Sequence, residues 1–416
     1  METERSLRIQ KAMQAAGLAA VVCALPSNVL LLTGYWPVVG NSIAICVCGG
    51  PTALLVPEDE LEFTEESFAN SVDTFLPGIV NSTSGSLEAV RPRLAAIFHK
   101  LKIPLGPIGI ERHGSSQAAS YLAIHLYGDD LQDMLRELLP ASSFVPVEKQ
   151  IQNLKSVKTA FELGRIRQAC ATAKAAYGQA APQLRAGMSE PEAAQLLRAP
   201  LSSGKVAGLP VLRRDGFAFC MSGPNSDKAS AAFAQTRSRV LQSQDLVMMH
   251  CNSYVDGFWT DITRTYTLQP PDALQVKMYA AVFAGRKAAL DAIKPGARAE
   301  TVDSAARAAI QDSGLGMCLR HGTGHGVGFS PMSAQSLPRV HAGSPDVLQE
   351  GMVFNIEPAV YIKEFGGVRH CDMVAVTASG YELLTPFQEN PEDLTIVDGD
   401  SLLAQRMGSR TASRSA

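Results

Sequence analysis

The sequence has no long apolar run and no marked excess of one charge. Every apolar run falls well short of the about 18 residues that cross a bilayer, so we expect no membrane partner. The 37 basic and 40 acidic residues leave a formal net charge of −3, without a long run of lysine or arginine. That balance argues against nucleic acid as the main partner. The N-terminal METERSLRIQKAMQAAG predicts a charged amphipathic helix and not a signal peptide.

Paired cysteines and a phosphate-binding glycine loop are also missing. The eight cysteines are scattered and none forms a CxxC pair, which in a chain of this size favours reduced thiols and a cytoplasmic location. We interpret most of them as small buried residues and treat Cys371 as the exception. The glycine spacing in HGTGHGVGF does not fit GxGxxG, so we expect no dinucleotide site.

The length and composition suit a chain of two or three domains with a sizeable core, since 46% of the 416 residues are hydrophobic. Residues 1–150 alternate short β-rich runs with helical stretches, which predicts an α/β domain in a supporting role. We expect residues 151–395 to form the catalytic domain. The tail, 396–416, is rich in serine and arginine and is predicted to be disordered.

An internal duplication is visible within the predicted catalytic domain. RAGMSEPEAAQLLR and KPGARAETVDSAAR lie 109 residues apart, each after a long helical stretch (about 160–184 and 272–293). Gly187 suits the left-handed residue that closes a helix, and Ser189 with Glu192 suits a capping box that begins the next. Two similar α/β halves, with a ligand cleft between them, would account for this repeat.

The first segment with unusual polar residues is DLVMMHCNSYVDGFWTDITRTYTL (245–268). It predicts a hairpin that turns at Asp256-Gly257, with His250 closing the first strand and Asp261 inside the second. Asp261 could be an ordinary turn or cap residue. Apolar and β-branched neighbours on both sides favour a buried carboxylate instead, and buried carboxylates are rare without partners.

Two further segments carry candidate groups. LRHGTGHGVGF (319–329) contains His321 and His325 in a glycine-rich, extended stretch that lets a backbone approach a ligand, although a flexible loop with incidental histidines would look similar. GMVFNIEPAVY (351–361) ends an apolar strand at Glu357. In GGVRHCDMVAVT (366–377), alternation along one strand places Arg369 and Cys371 on one face, and Asp372 on the other as an ordinary solvent-facing charge.

Together these segments resemble the pita-bread family, which includes aminopeptidase P, prolidase, methionine aminopeptidase and creatinase. The resemblance rests on SGPN (222–225), DGFWTDITRTY, HGTGHGVGF, GMVFNIEPAVY and GGVR, and SNVLLLTGY (27–35) and LKSVKTAFELGRIRQA (154–169) point to the aminopeptidase P, prolidase and creatinase branch. It implies an α/β (α+β) fold, with a creatinase-like N-terminal α/β domain and a C-terminal pita-bread domain of two duplicated αα-β halves. It also implies a homodimer.

The resemblance further implies a metal site with altered ligands. Peptidases of the family hold two divalent metals with two Asp, one His and two Glu. Asp261, His325 and Glu357 match three of these five, whereas the first Asp falls on His250 and the second Glu on Cys371. Two further family histidines are absent; they fall on the positions of Ser230 and Met332.

With two carboxylates where the family has four, the site can compensate the charge of fewer metal ions. Imidazole and thiolate are also softer ligands than carboxylate oxygen. We therefore expect one divalent metal, zinc or iron in preference to manganese, held by some of His250, Asp261, His325, Glu357 and Cys371. The predicted reaction is hydrolysis of an amide or related C–N bond in a small molecule or short peptide. Glu357 would bind metal and shuttle protons, His321 would donate a proton, and Arg369 would fix a carboxylate.

Three other functions and one other catalytic mechanism fit the same residues. A metal-independent, creatinase-like hydrolase would use His321 or His325 for proton transfer, and a lyase acting on a small zwitterion would release an unsaturated product. Cys371 could be a nucleophile if a nearby base or cation activated it. A non-catalytic binding protein on the same fold would tolerate loss of Asp261 or His325, which an enzyme could not.

Overall fold

A computed structural model describes residues 2–38, 41–76, 86–112, 129–203, 210–230, 235–331 and 336–396. The chain divides into two compact units, Met1–Glu162 and Leu163–Ala416. This division falls later than the predicted boundary after residue 150. The predicted disordered tail lies outside the described residues except for its first residue, Ile396.

The first unit is built on one mixed six-stranded sheet. Its helices are α1 (Glu2–Ala15), α2 (Pro26–Thr33), α3 (Ser86–Leu101), α4 (Asp129–Leu138) and α5 (Glu148–Ser156). Its strands are β1 (Ala20–Cys23), β2 (Ile43–Val47), β3 (Thr52–Pro57), β4 (Ser71–Phe75), β5 (Pro107–Ile110) and β6 (Ser143–Pro146), in the order β4-β3-β2-β1-β5-β6. The central strands β1 and β2 are buried at every residue, which is why they read as continuous apolar runs.

The second unit pairs long helices with several small sheets. Its helices are α6 (Ala160–Ala180, beginning just before the division), α7 (Glu190–Ser203), α8 (Ala273–Asp291) and α9 (Ala299–Asp312). Its strands are β7 (Arg214–Ser222), β8 (Leu246–Val255), β9 (Phe258–Trp259), β10 (Ile262–Thr267), β11 (Gly324–His325), β12 (Arg339–Val340), β13 (Val353–Ile356), β14 (Ala359–Ile362), β15 (Gly366–Arg369), β16 (Asp372–Val376) and β17 (Tyr381–Leu383). The sheets are β10-β8-β7 with β9 paired to β8, β13-β16-β17, β11-β12 and β14-β15.

The two helix pairs of this unit repeat one another in detail. Gly187 and Gly296 both adopt positive φ, at 90° and 83°, in the link between the two helices of each pair. The prediction that Gly187 closes the first helix is wrong, because α6 ends at Ala180 and a 3₁₀ turn follows to Gln183. The backbone N–H of Gly187 donates to Leu241 O at 2.9 Å, and that of Gly296 donates to Leu348 O at 2.8 Å. Such matched long-range bonds confirm the duplication and, with it, the predicted fold class.

The second helix of the first pair, α7, also begins as expected. Ser189 and Glu192 form the predicted capping box: Ser189 N donates to Glu192 Oε2 at 2.7 Å, and Glu192 N lies 3.4 Å from Ser189 Oγ. Within the part of the chain described, no helix combines the length and the apolar character needed to cross a bilayer.

The hairpin that carries Asp261 forms where it was predicted, turning at Asp256 (φ 48°) and Gly257 (φ 83°). His250 does not close its strand, because β8 continues to Val255. The prediction of one continuous strand over 366–377 is wrong. β15 pairs with β14 and β16 pairs with β13, so the chain changes sheets between Arg369 and Asp372.

Candidate active site

Four of the five predicted metal ligands converge at one point of the second unit. Ligating atoms of Asp261, Glu357 and Cys371 all lie within 4.8 Å of one another. Nε2 of His325 lies 3.4 Å from Asp261 Oδ2 and 3.9 Å from Glu357 Oε1. One carboxylate oxygen from each acid and the thiol therefore face a common centre, and the imidazole lies beside the two acids.

Breaks between strands place two of these groups. Asp261 lies between β9 and β10, and Cys371 lies between β15 and β16. A short antiparallel bridge joins the two segments, in which Cys371 N donates to Thr263 O at 3.0 Å. This bridge brings the Cys371 sulfur 3.1 Å from the backbone oxygen of Asp261 and 3.6 Å from its Oδ1.

Asn355 positions a third group and was missed by the sequence analysis. Its Oδ1 accepts a hydrogen bond from His325 N at 2.7 Å, and its Nδ2 lies 3.2 Å from His325 Nε2 and 3.6 Å from Cys371 Sγ. The available signal was a polar residue within the apolar strand, two positions before Glu357 and therefore on the same face. Metal-binding histidines and thiolates commonly depend on such neighbours for their orientation.

The glycines beside His325 allow β11 to lie close to neighbouring backbone. A Cβ on Gly324 would lie 1.9 Å from Asn355 O, and one on Gly326 would lie 2.1 Å from Leu337 O. Both distances are impossible for real atoms, so a side chain at either position would push β11 away from its neighbours. The close backbone approach predicted for a ligand is thus made to protein backbone.

His250 lies beside the cluster with other partners. Its Nδ1 is 2.9 Å from Thr263 Oγ1 and 3.7 Å from Asp261 Oδ1, and its Nε2 is 3.2 Å from Asn252 Oδ1. Both ring nitrogens thus have hydrogen-bond partners within the protein. Its role as a metal ligand stays a prediction.

Arg369 is buried on the same side as His250. Its Nε donates to Thr263 Oγ1 at 3.1 Å, its Nη1 lies 3.4 Å from Ala229 O, and its Nη2 lies 3.3 Å from His250 Nδ1. The guanidinium is 4% exposed, so a substrate carboxylate would have to replace one of these partners.

His321 pairs with a tyrosine that was not singled out in the sequence. Its Nε2 lies 2.9 Å from Tyr361 OH, and its Nδ1 lies 2.7 Å from Gly322 O. With a proton on Nδ1 donated to the Gly322 carbonyl, Nε2 could accept a hydrogen bond from the tyrosine hydroxyl.

Of the two positions where the family histidines are absent, Ser230 is half-buried at the end of the short 3₁₀ segment Gly223–Ser230, and Met332 lies outside the described residues.

Burial and charge set the protonation of the cluster. Burial above all lowers the pKa of His250 to about 4, which leaves the imidazole neutral near pH 7. Burial, and then the neighbouring Asp261 and Glu357, raise the pKa of the Cys371 thiol well above its ordinary value. Without a metal, Cys371 is therefore a neutral thiol, which argues against its use as a nucleophile.

Asp261 and His325 stabilise each other as an ion pair. Burial alone would raise the pKa of Asp261, but the neighbouring His250, His325 and Arg369 hold it below its ordinary value. Burial likewise opposes charge on His325, but the hydrogen bond to Asp261 and the charges of Glu357 and Asp261 raise its pKa to about 9. A proton on His325 faces the same carboxylate oxygens that a metal ion would face.

The donor set fits one divalent ion. Asp261, Glu357, His325 and Cys371 offer two carboxylates, one imidazole and one sulfur, a combination that suits zinc or ferrous iron. The side chains of His325 and Glu357 are 16% and 15% exposed, whereas that of Asp261 is 3% exposed. Solvent therefore reaches the cluster from the side of His325 and Glu357.

Comparison with known proteins agrees with this fold. Residues 164–378 match the model of metallopeptidase family M24. The chain is 29% identical over 385 residues to the Xaa-Pro dipeptidase of Pyrococcus furiosus, covering 92% of this chain and 97% of that protein. The Xaa-Pro dipeptidase of Lactobacillus helveticus is 31% identical, over 63% of this chain and 68% of its own length.

Solved structures show the same similarity. The prolidase of Pyrococcus horikoshii superposes with a TM-score of 0.72 at 26% identity, covering 92% of this chain and 98% of that one. The N-terminal domain of the FACT complex subunit SPT16 from chickpea superposes at a TM-score of 0.69 with 14% identity, over 95% and 99% of the two chains, a likeness of fold alone. The chain therefore belongs to metallopeptidase family M24, among the prolidase-like metallohydrolases of the pita-bread fold.

Proposed function

We propose that this protein hydrolyses an amide bond in a short peptide, with one divalent ion held by Asp261, His325, Glu357 and Cys371. Relatives named Xaa-Pro dipeptidase make a dipeptide with proline in second place the first substrate to test. The sulfur and imidazole ligands favour zinc or ferrous iron over manganese.

One observation carries the proposal. Residues from three separate segments of the chain bring ligating atoms within 4.8 Å of one another. Two buried or half-buried carboxylates side by side repel each other unless a positive charge lies between them, so this arrangement favours a bound cation. A divalent ion would compensate the charge of the two carboxylates and would favour the thiolate form of Cys371.

The residues around the cluster can then be given roles. When bound, the ion would supply an activated water molecule for attack on the amide carbonyl. Glu357 lies on the solvent side and can take the proton released in that attack. His321, whose Nε2 lies 2.9 Å from Tyr361 OH, is the group proposed to donate a proton to the intermediate or to the leaving nitrogen, which it would do from Nε2 as a doubly protonated imidazolium.

The proposal is tested by elemental analysis of untagged protein purified without chelator, followed by assay on a panel of Xaa-Pro and Xaa-Ala dipeptides. We expect about one zinc or iron per chain and cleavage that a chelator abolishes. His325→Ala should lose both the metal and the activity. Unchanged turnover in His325→Ala or Glu357→Ala would refute the mechanism.

A metal-independent hydrolase is the second candidate, because the cluster can balance its own charge. With His325 Nε2 3.4 Å from one carboxylate and 3.9 Å from the other, a protonated imidazole and the buried Arg369 would offset Asp261 and Glu357. Under this alternative, full activity would persist in protein shown by elemental analysis to contain no metal.

A homodimer and a cytoplasmic location complete the proposal. The first rests on family resemblance and the second on cysteines that the structure leaves unpaired, as free thiols. Light scattering on the full chain tests the dimer, for which a mass of twice 44.3 kDa is expected.

A further inference from the structure

We propose that His250 is a positioning residue of this site and not a metal ligand. Its Nδ1 accepts hydrogen bonds from Arg369 and Thr263 and so fixes the guanidinium of Arg369 beside the metal cluster, while its Nε2 carries the ring proton. The inference rests on the proposed function, because His250 borders the same metal cluster. It replaces the ligand role that the family motif suggested for this position.

The amide of Asn252 decides which ring nitrogen carries the proton. Its Nδ2 donates to the backbone oxygen of Thr260 at 3.2 Å, so its Oδ1 is the atom that lies 3.2 Å from His250 Nε2. The opposite orientation of the amide would place two oxygens against each other at Thr260. An amide oxygen can only accept a hydrogen bond, so Nε2 is the donor and carries the proton.

The partners of His250 Nδ1 are donors. Nη2 of Arg369 lies 3.3 Å from Nδ1, and a guanidinium has no acceptor. Thr263 Oγ1 lies 2.9 Å from Nδ1 and accepts from Arg369 Nε at 3.1 Å, which leaves its own hydroxyl proton for Nδ1. A proton on Nδ1 would point towards the guanidinium, so this nitrogen is the acceptor of two hydrogen bonds.

This tautomer leaves no lone pair of His250 for a metal. In a neutral imidazole only the unprotonated nitrogen can bind an ion, and here that nitrogen is Nδ1. Zinc binds imidazole nitrogen at about 2.0–2.1 Å, so an ion at Nδ1 would occupy the space of the two donors. Asp261 Oδ1 lies 3.7 Å from Nδ1, beyond hydrogen-bond distance, so this carboxylate does not compete for the lone pair.

Strand pairing holds the imidazole in this orientation. His250 on β8 lies between Thr263, directly opposite on β10, and Phe219, directly opposite on β7. The Phe219 ring stacks against the imidazole, with centroids 6.1 Å apart and planes 20° apart. His250 is 2% exposed, so its hydrogen-bond partners come from the protein. The imidazole therefore offers Arg369 a fixed acceptor.

The experiment compares wild-type protein with His250→Asn and His250→Leu, two variants of similar size. Oδ1 of an asparagine can take the place of Nδ1 and accept from Arg369, whereas leucine offers no acceptor. Zinc binding is measured by titration against a competing chelator. His250→Asn should bind zinc within about threefold of wild type, because it loses no ligand; a loss of about a hundredfold, as expected for a removed ligand, would overturn the inference.

Nuclear magnetic resonance separates positioning from packing. In protein labelled with ¹⁵N in histidine and arginine, the His250 signals are identified by their absence in His250→Asn, and those of Arg369 by their absence in Arg369→Lys. We expect a proton on His250 Nε2 and none on Nδ1, in zinc-free and zinc-loaded protein alike. The Nε–H signal of Arg369 should stay sharp in His250→Asn and broaden in His250→Leu, where the guanidinium loses an acceptor.

Two spectra can overturn the inference. One shows a proton on His250 Nδ1, or an Nδ1 resonance that moves on zinc addition as a coordinated nitrogen does. The other shows an Arg369 signal equally sharp in both variants, which would reduce His250 to packing. The tautomer is measured on wild-type protein and stands even if His250→Leu does not fold. Wild-type protein that binds no zinc would overturn the proposed function, and the zinc-free spectrum would still decide the role of His250.

Discussion

Replacing Cys371 with alanine tests the most unusual ligand of the site. The sulfur is fully buried and shares a centre with Asp261 and Glu357, so its loss removes one of four ligands. Four-ligand zinc sites are worth roughly 10–16 kcal/mol in apparent binding free energy, or roughly 3 kcal/mol for each ligand. At about 1.4 kcal/mol for each tenfold change, Cys371→Ala should weaken zinc binding by about a hundredfold.

Cobalt gives the clearest assay, because a cysteine thiolate bound to Co²⁺ adds a charge-transfer band in the near ultraviolet. We expect this band in the wild-type protein and its complete loss in Cys371→Ala. Cys251→Ala is the matched control: Cys251 is equally buried, on β8 beside His250, but its thiol lies outside the cluster. If Cys371→Ala kept the band and bound zinc as tightly as Cys251→Ala, sulfur ligation would be refuted.

Three further predictions concern groups around and beyond the cluster. Asn355→Leu should weaken zinc binding about 10–100-fold without removing a ligand, by releasing His325 and Cys371; unchanged affinity in the same chelator competition would contradict this. Asp372→Ala should lower the free energy of unfolding by about 3–5 kcal/mol in urea denaturation, because it removes the acid that Arg264 and Arg286 share and leaves the fully buried Arg264 with backbone carbonyls alone; a loss below about 1 kcal/mol would contradict it. In the first unit, burial above all lowers the pKa of Lys158 to about 7, from an ordinary value of 10.5. Between these pH values the unfolded chain binds more protons at Lys158 than the folded one does, so stability should rise with pH, by at most about 5 kcal/mol in total. Lys158→Met should flatten that rise between pH 7 and 9, and an identical slope in the variant would show that the lysine is charged in the fold.

Much of the fold could be predicted because the turns and links between its elements are marked by local sequence. Gly187 and Gly296 each place a left-handed residue in the link between two helices, and Asp256-Gly257 makes a tight turn between two apolar runs. Each of these features depends on a few neighbouring residues, so the sequence alone contains the needed information. Asp261, His325 and Glu357 were predicted to share one site from their positions in family motifs. Such motifs carry information about contacts between distant segments, which the hydrophobic periodicity of one segment does not.

Asp372 shows what local pattern could not supply. Alternation along an assumed strand made it a solvent-facing charge, which is wrong, because it is fully buried. Arg264 and Arg286 bond it at 2.7 and 2.6 Å, and Thr385 donates to it at 2.8 Å. The two arginines lie 108 and 86 residues away in the chain, so only the tertiary fold reveals that this acid has partners.

The direction of the His250 side chain also follows from long-range strand pairing. The same pairing connects His250 with Cys371, the two altered ligand positions. Thr263 lies opposite His250 across the β8–β10 pair, and its backbone bridges Cys371 while its hydroxyl contacts both His250 and Arg369. A carboxylate introduced by His250→Asp would lie on the Oδ1 side of Asp261, where His250 Nδ1 lies at 3.7 Å, and would add negative charge to the site. His250→Asp should therefore tighten the binding of divalent ions, and unchanged affinity in the chelator competition would contradict this. Substitutions at positions 250, 369 and 371 should accordingly be strongly non-additive in metal affinity, because each changes the charge that the others must balance.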